Sequence, residues 1–258
     1  MKISVVTISF NQAKFLRQCI ESVLRQNYSN LEYIIVDAGS TDGSREIISS
    51  FGDVVIKIFE ADDGPADGLN KGFSRATGDI FYFINADDFV LDDSFCTAIQ
   101  LFEKYSRIDV LLAGGIGIDG NNVKFKRFFP SKISPKAYVN GAVTFFQQGM
   151  FFKSAAFKSV HGFNSLNKTC WDGELLLEFM CKGFRFRRIM TQLGAFRVYP
   201  ESITGSNRLA KELGMDRQRL FEMVYGKEQM AQPLMVSVYR WRKLVFDVHY
   251  LSCRLFLA

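Results

Sequence analysis

Gly78-Asp79-Ile80-Phe81-Tyr82-Phe83-Ile84-Asn85-Ala86-Asp87-Asp88-Phe89 is the stretch that decides how this chain folds. Ile80 to Ile84 form an uninterrupted apolar run, the pattern of a strand buried on both faces of a sheet. The run stops at Asn85, Asp87 and Asp88. Adjacent carboxylates at the end of a buried strand are costly unless a cation compensates them. In open α/β sheets the carboxyl ends of strands are where ligands bind. A hard divalent ion bearing a phosphate takes one or two carboxylates plus substrate oxygens. The alternative is a solvated Asp-Asp turn ahead of a helix starting near Asp92.

Upstream, the same strand-then-acid pattern recurs. Ile3 to Ile8 is a β-branched run ending in the polar turn Ser9-Phe10-Asn11-Gln12. Phe15, Leu16, Cys19, Ile20, Val23 and Leu24 then recur at helical spacing. Tyr33 to Val36 predicts a second strand ending at Asp37, with Asp42 as N-cap of the next helix. Val54 to Phe59 predicts a third strand, ending at Glu60 and Asp62. Pro65 suits the first turn of a helix covering Asp67, Leu69, Lys71 and Phe73, and Gly78 is read as its C′ residue. Three strand-helix units followed by a strand imply a parallel sheet with right-handed crossovers. Its strand tips form one acidic rim. No G-x-G-x-x-G turn follows the first strand, which disfavours a dinucleotide cofactor.

Downstream, the pattern predicts a helix over Phe95–Tyr105 and a strand over Val110–Ala113. A hairpin turn at Asp119-Gly120-Asn121 leads into a basic strand, Val123–Phe129. Trp171-Asp172-Gly173-Glu174 opens a helix. Phe184–Met190 reads as an edge strand and Leu193–Val198 as another. Beyond Asn207 the chain becomes basic amphipathic helix. The 258 residues show no internal repeat, and one compact domain with a helical carboxyl-terminal appendage is the simplest partition. A net charge of +5 does not argue for nucleic acid. Five scattered cysteines without a C-x-x-C pair argue against disulfides and zinc, and make a reducing cytoplasm the default. No secretory segment fits the amino terminus, and no apolar stretch reaches the ~20 residues of a spanning helix.

Five motifs, in order, resemble glycosyltransferase family 2. They are Ser4-Val5-Val6-Thr7-Ile8-Ser9-Phe10-Asn11; Glu32 to Ser44 with Asp37-Ala38-Gly39-Ser40; Asp63 to Gly72; Ala76 to Ile80; and Ile84-Asn85-Ala86-Asp87-Asp88. Gln148, Phe151-Phe152, Gly162-Phe163 and Asp172-x-Glu174 follow in the family's order. The likeness covers residues 1 to about 204. It implies a GT-A fold: an α/β, Rossmann-like, mostly parallel sheet flanked by helices. Residues 1–90 would be the nucleotide-binding half, 91–204 the acceptor-binding half, and 205–258 the basic helical segment. It further implies inverting transfer from a nucleotide-diphosphate sugar, a UDP-sugar above others, to a carbohydrate or lipid-linked acceptor. The setting would be bacterial cell-surface polysaccharide synthesis, with Mn²⁺ or Mg²⁺ as cofactor.

The resemblance also assigns residues. Asp172 would be the catalytic base, taking the proton of the attacking hydroxyl, with Glu174 the alternative base or an acceptor contact. Ser9, Asn11, Asp37, Asp67, Asn70, Lys71 and Asp87 would contact the nucleotide sugar. Gln148 and Trp171 would line the acceptor pocket, and Arg197 would pair with phosphate. Asp88 would be the metal ligand, with Asp87 its helper. Three positions depart from the family pattern: Ala38 where a second acid is common, Asn85 where a first Asp is common, and Tyr199 where a His is common.

Near the carboxyl terminus, Tyr239-Arg240-Trp241-Arg242-Lys243-Leu244-Val245-Phe246 mixes cations with aromatics, and Leu251, Leu255, Phe256 and Leu257 continue its apolar side. Such a helix can lie peripherally on an anionic membrane, here the inner face. It can also pack on the catalytic domain or, in a homodimer, on a second subunit. Two other functions share the sheet: a nucleotidyltransferase, whose basic glycine-rich loop is missing here, and a non-catalytic scaffold of an assembly complex.

Overall fold

The computed structural model describes residues 1–202, 206, 209–226, 233–247 and 250–253. Its first half is the expected parallel sheet. Strand β1 (Ile3–Ser9) lies between β2 (Leu31–Asp37) and β4 (Ile80–Asn85), parallel to both, and β3 (Ile56–Phe59) adds outside β2. Helices α1 (Ala13–Leu24), α2 (Ser44–Ser50) and α3 (Pro65–Arg75) make the crossovers. The register sets Ser9 beside Asp37 and Ile8 beside Asn85, so the polar tips meet on one edge.

The second half mixes directions. A two-residue strand, β5 (Phe89–Val90), is followed by α4 (Ser94–Lys104), β6 (Val110–Ile118), β7 (Lys124–Phe128), α5 (Pro135–Val139) and β8 (Met150–Lys153). Strand β8 joins β4 to β6, antiparallel to both. Then come α6 (Ser154–Ser159), α7 (Trp171–Cys181) and β9 (Phe186–Arg197). Strand β9 runs parallel to β6 and carries β5 on its far side. The two strands expected at Phe184–Met190 and Leu193–Val198 are therefore one: its first part pairs with β6 alone, the expected edge, and only Gly194 and Ala195 are covered on the far side by β5. Register shifts opposite Leu112–Gly115 bend it, which is why its pattern reads as two. Strand β6 outruns its expected end because Gly115 lies under Phe146, where an added Cβ would fall 1.8 Å from the ring. Glycine lowers strand propensity but admits the neighbour.

Two local expectations are corrected. Helix α3 ends at Arg75, and Gly78 is no helix terminus: it bonds Ser4 Oγ at 2.8 Å and sits where a Cβ would meet the Ser4 nitrogen. The N-cap of α2 is Gly43, in the left-handed region, while Asp42 accepts the Ser44 N–H from one residue further out.

Alternation along the strands divides the core. Val5, Tyr33, Ile35, Tyr82 and Ile84 pack under α1, α2 and α4. Val6, Ile34, Val36, Phe81 and Phe83 pack under α3, α6 and α7. Much of the phenylalanine sits in this second layer, where Phe73 stacks on Phe81 at 4.7 Å and Phe152 and Phe157 close around them. Helices α8 (Ala210–Tyr225) and α9 (Pro233–Phe246) complete the described chain; α8 buries Asp216, Leu220 and Phe221. The expected boundary at 204/205 and the apolar residues Leu255, Phe256 and Leu257 lie outside the described residues. No described helix is long and apolar enough to cross a membrane.

Helix α3 reaches the sheet through Gly72, where an added Cβ would fall 2.4 Å from Val6 Cγ1. Gly72→Ala should cost about 1–3 kcal/mol in denaturant unfolding. Combined with Val6→Ala it should cost less than the sum of the two single changes, and strict additivity would contradict the contact.

Candidate active site

The rim begins at β2. Asp37 is buried and fully engaged: Oδ1 accepts from the Gly39 and Ser40 amides and from Arg45 Nε at 2.9 Å, and Oδ2 accepts from Ser40 Oγ. Burial pushes its carboxyl up, and these donors outweigh that and hold it below its ordinary value. Asp37 thus shapes the turn after β2. Asn11, at φ 52°, ties the loops after β1 and β2 together, accepting the Thr41 N–H and donating its own N–H to Ser40 Oγ. Ser9 Oγ is buried with no partner.

Asp87 and Asp88 follow β4. Asp88 is 1% exposed. It accepts from the Arg197 backbone N–H at 2.8 Å, from Gln148 Nε2 at 2.6 Å, and from Asn85 Nδ2 at 3.4 Å. Burial, then the neighbouring Asp87 charge, pushes its carboxyl well up. Asp87 is less enclosed; its Oδ2 accepts from the Tyr199 hydroxyl at 3.1 Å, and burial raises its carboxyl too. The cation beside them among the described residues, Arg197, is itself buried and turned to other groups. Its Nε donates to the Asp87 carbonyl, Nη1 to Asn122 Oδ1 and the Asp119 carbonyl, and Nη2 to Gln18, while Phe15 covers its face at 4.3 Å. Among the described residues no ion pair joins Asp87 or Asp88 to a base.

The third part of the rim is the head of α3. Asp67 pairs with Lys71 at 2.9 Å, and that partner holds its carboxyl below the ordinary value. Asn70 uses both amide atoms on the Phe163 backbone, at 2.8 and 2.9 Å. Lys168 Nζ donates to the Asp63 carbonyl, stitching the loop before α7 to the loop before α3. Asp172 opens α7 just beyond. Its Oδ1 accepts the Gly173 N–H at 2.8 Å, and burial raises its carboxyl to about 6. The Tyr138 hydroxyl abuts Gly173, at a spot where a Cβ would leave it no room. Trp171 Nε1 beside it is buried without a partner. Glu174, two residues on, is spent: Arg219 of α8 grips both its oxygens, and Asn167 and Asn164 donate as well. Burial raises its carboxyl, and these donors bring it below its ordinary value.

Residues 4–166 match the family described as Glycosyl transferase family 2. The chain belongs to that family. Similar proteins include an uncharacterized glycosyltransferase of Nostoc, 37% identical over 126 residues, covering 47% of this chain and 39% of that one. A putative glycosyltransferase of Bacillus subtilis, EpsE, is 29% identical over 191 residues, covering 71% of this chain and 68% of its own. The chain spans about two fifths of the length of the Nostoc protein and of a Streptococcus pneumoniae glycosyltransferase, GlyG. Among solved structures, S. aureus TarS 1-349 with UDP-GlcNAc superposes with a TM-score of 0.71 at 16% identity, over all of this chain and 76% of that one. The mannosyltransferase PcManGT of Pyrobaculum calidifontis, in complex with GDP-Man and Mn²⁺, gives 0.65 at 15% identity, with the same coverage. These neighbours bear out the GT-A fold.

Within this family 2 chain, the structure gives several expected ligand contacts other tasks. Arg197, expected at a phosphate, is buried with its guanidinium on the Asp87 and Asp119 carbonyls, Asn122 and Gln18. Gln148, expected at the acceptor pocket, donates its side-chain amide to Asp88, and its carbonyl accepts from Tyr82. Both Glu174 oxygens, expected at the base or the acceptor, are engaged by Arg219. Asn70 joins α3 to the Phe163 turn, and Asn11 joins two loops. Of the acidic pair, Asp88 is enclosed by its donors, whereas Asp87 is half-buried and accepts from the Tyr199 hydroxyl. Sequence reading missed Arg219, Tyr138 and Arg45, whose partners are distant or unremarkable in the pattern.

The residues present suit a divalent ion. Asn85 Oδ1 is buried with no hydrogen-bond partner, and amide and carboxylate oxygens are the donors a hard cation takes. No group of three Asp, Glu, His or Cys side chains converges among the described residues, so protein ligands would be few and phosphate oxygens would complete the shell.

Asp172 supplies a test by pH. A carboxyl raised to about 6 adds stability when protonated, and that contribution is lost as pH rises through 6. Asp172→Asn should therefore melt higher than the parent at pH 7.5, and the gain should shrink as the pH falls towards 5. A gain independent of pH would contradict the burial.

Proposed function

We propose that this chain is an inverting glycosyltransferase moving one sugar from a nucleotide-diphosphate sugar to a hydroxyl of a carbohydrate or lipid-linked acceptor, in cell-surface polysaccharide synthesis. One observation carries this reading: two carboxylates, Asp87 and Asp88, are enclosed at the tip of the central strand, and among the described residues no basic side chain forms an ion pair with them. A donor diphosphate brought in with a divalent ion supplies the missing charge.

Asp87 and Asn85 Oδ1 would hold Mn²⁺ or Mg²⁺, while Asp88, tied to Gln148 and the Arg197 backbone, keeps the turn in shape. When bound, such an ion supplies positive charge for the leaving nucleoside diphosphate. Asp172 serves as the base. Its raised carboxyl is charged at neutral pH yet basic enough to take the proton from the acceptor hydroxyl. Only one of its oxygens is committed, to Gly173. Trp171, with an unspent N–H and an aromatic face, is placed next to it to orient a sugar. Ser9 Oγ and the Asp67–Lys71 pair remain for the nucleotide, beside the turn that Asp37 builds. The TarS structures with UDP and UDP-GlcNAc support a UDP-sugar, while the GDP-Man complex keeps a second base in the panel.

The experiment is a panel of UDP-glucose, UDP-N-acetylglucosamine and GDP-mannose with Mn²⁺, read as nucleoside diphosphate release. One donor should turn over. Asp172→Asn should lower that rate by about 10²–10⁴-fold while calorimetry shows donor binding retained. Binding without turnover in the parent chain would point to a scaffold, and unchanged turnover in Asp172→Asn would remove the base.

A further inference from the structure

Helix α9 is built against the usual rule for a surface helix. None of the described side chains from Leu234 to Phe246 is buried. Its half-buried residues, Val236, Tyr239 and Lys243, fall three and four residues apart and mark the side towards the body. Even there a groove of about 700 Å³, bordered by Met180 and Tyr239, separates it from α5 and α7. On the opposite side Leu234, Val238, Trp241 and Val245 follow at spacings of four, three and four, one straight ridge. They are 72%, 41%, 60% and 44% exposed. A water-facing helix normally turns such a ridge inwards. Here it points outwards over more than three turns, the continuous kind of apolar patch that marks an interaction surface.

We propose that this ridge is a peripheral docking surface for an anionic lipid bilayer. The charges choose that occupant. Arg240 and Arg242 lie to either side of the ridge, Arg240 donating from Nε to the Gly141 carbonyl at 3.4 Å and Arg242 at the lip of the groove, both exposed, and the helix carries no Asp or Glu from Pro233 to Phe246. Arginine on the flanks lets the apolar side sink to acyl depth while the guanidinium groups stay among phosphates. Trp241 lies on the ridge, and its amphipathic ring suits the headgroup boundary. A second copy is a poor occupant, since a two-fold contact along this ridge would line up both arginines of each copy with no carboxylate to receive them. The helix is anchored for the purpose at its carboxyl end. Buried Asp247 accepts from Arg188 at 2.9 Å, and Lys132 Nζ bonds the Phe246 carbonyl. The ridge shares no residue with the Asp87–Asp172 rim, so this proposal does not rest on glycosyl transfer.

The test is co-sedimentation of the full chain with phosphatidylglycerol vesicles and with phosphatidylcholine vesicles. The chain should sediment with the former, weakly with the latter, and less as NaCl is raised. Trp241→Ser should weaken binding at least about tenfold, the scale of burying one large aromatic. Arg240→Gln and Arg242→Gln should each weaken it about fivefold. Met215→Ser removes an equally exposed apolar group from α8 and should change nothing. All four sites are at the surface, and an unchanged melting temperature confirms folding. No sedimentation with phosphatidylglycerol, or equal sedimentation with both lipids, overturns the proposal. So does a concentration-dependent dimer abolished by Trp241→Ser in the absence of vesicles.

Discussion

Two carboxylates held out of water at the end of one strand constrain the rest of this structure. Isolated ionised carboxylates in such a place would cost several kcal/mol each. The chain could have neutralised them with arginine, and it has one within reach. Arg197 is instead rotated so that its guanidinium meets the Asp87 and Asp119 carbonyls, Gln18 and Asn122, while only its backbone N–H serves Asp88. Asp88 receives amide donors, which satisfy its lone pairs without cancelling its charge. The result is a well-ordered site with unbalanced charge, the condition a cation-bearing ligand relieves.

The elements around it serve this arrangement. Strand β9 threads between β6 and β5, and that places the Arg197 backbone beside Asp88. The short turn before β8 delivers Gln148, where Gly194 leaves room for it. On the acceptor side, Asp172 and Glu174 differ by two residues and face opposite fates. Arg219 of α8 engages Glu174, so the helix beyond the family match fixes α7 to the body. The Arg219 side chain is 37% exposed, so solvent screens the pair and it holds α7 less strongly than a fully buried one would. Asp172 escapes such a partner and keeps a raised proton affinity. Environment, more than residue type, separates the two roles.

What was legible in the chain follows from which signals are local. The parallel half was readable because each strand is a continuous apolar run closed by an acid, and the rim followed from topology. Strand β9 was not, since its bend breaks the period and its pairing partner lies 76 to 79 residues away in sequence. Site roles were legible only to the level of residue type. Arg197 and Gln148 have the chemistry of ligand contacts, and nothing local announces that Asp87 and Asp88 consume them. Glu174 reads as a free acid until Arg219, 45 residues later, closes on it. The outward ridge of α9 was visible as composition, while its exposure needed the fold.

The account stands on the claim that Asp87 and Asp88 await a divalent ion delivered with a nucleoside diphosphate. Mn²⁺ electron paramagnetic resonance tests this most directly, by titrating the protein into Mn²⁺ with and without UDP or GDP. The account predicts weak Mn²⁺ uptake alone, strong uptake with one of the nucleotides, and loss of the enhancement in Asp87→Asn. Nucleotide binding that leaves free Mn²⁺ unchanged, or full enhancement in Asp87→Asn, would contradict it.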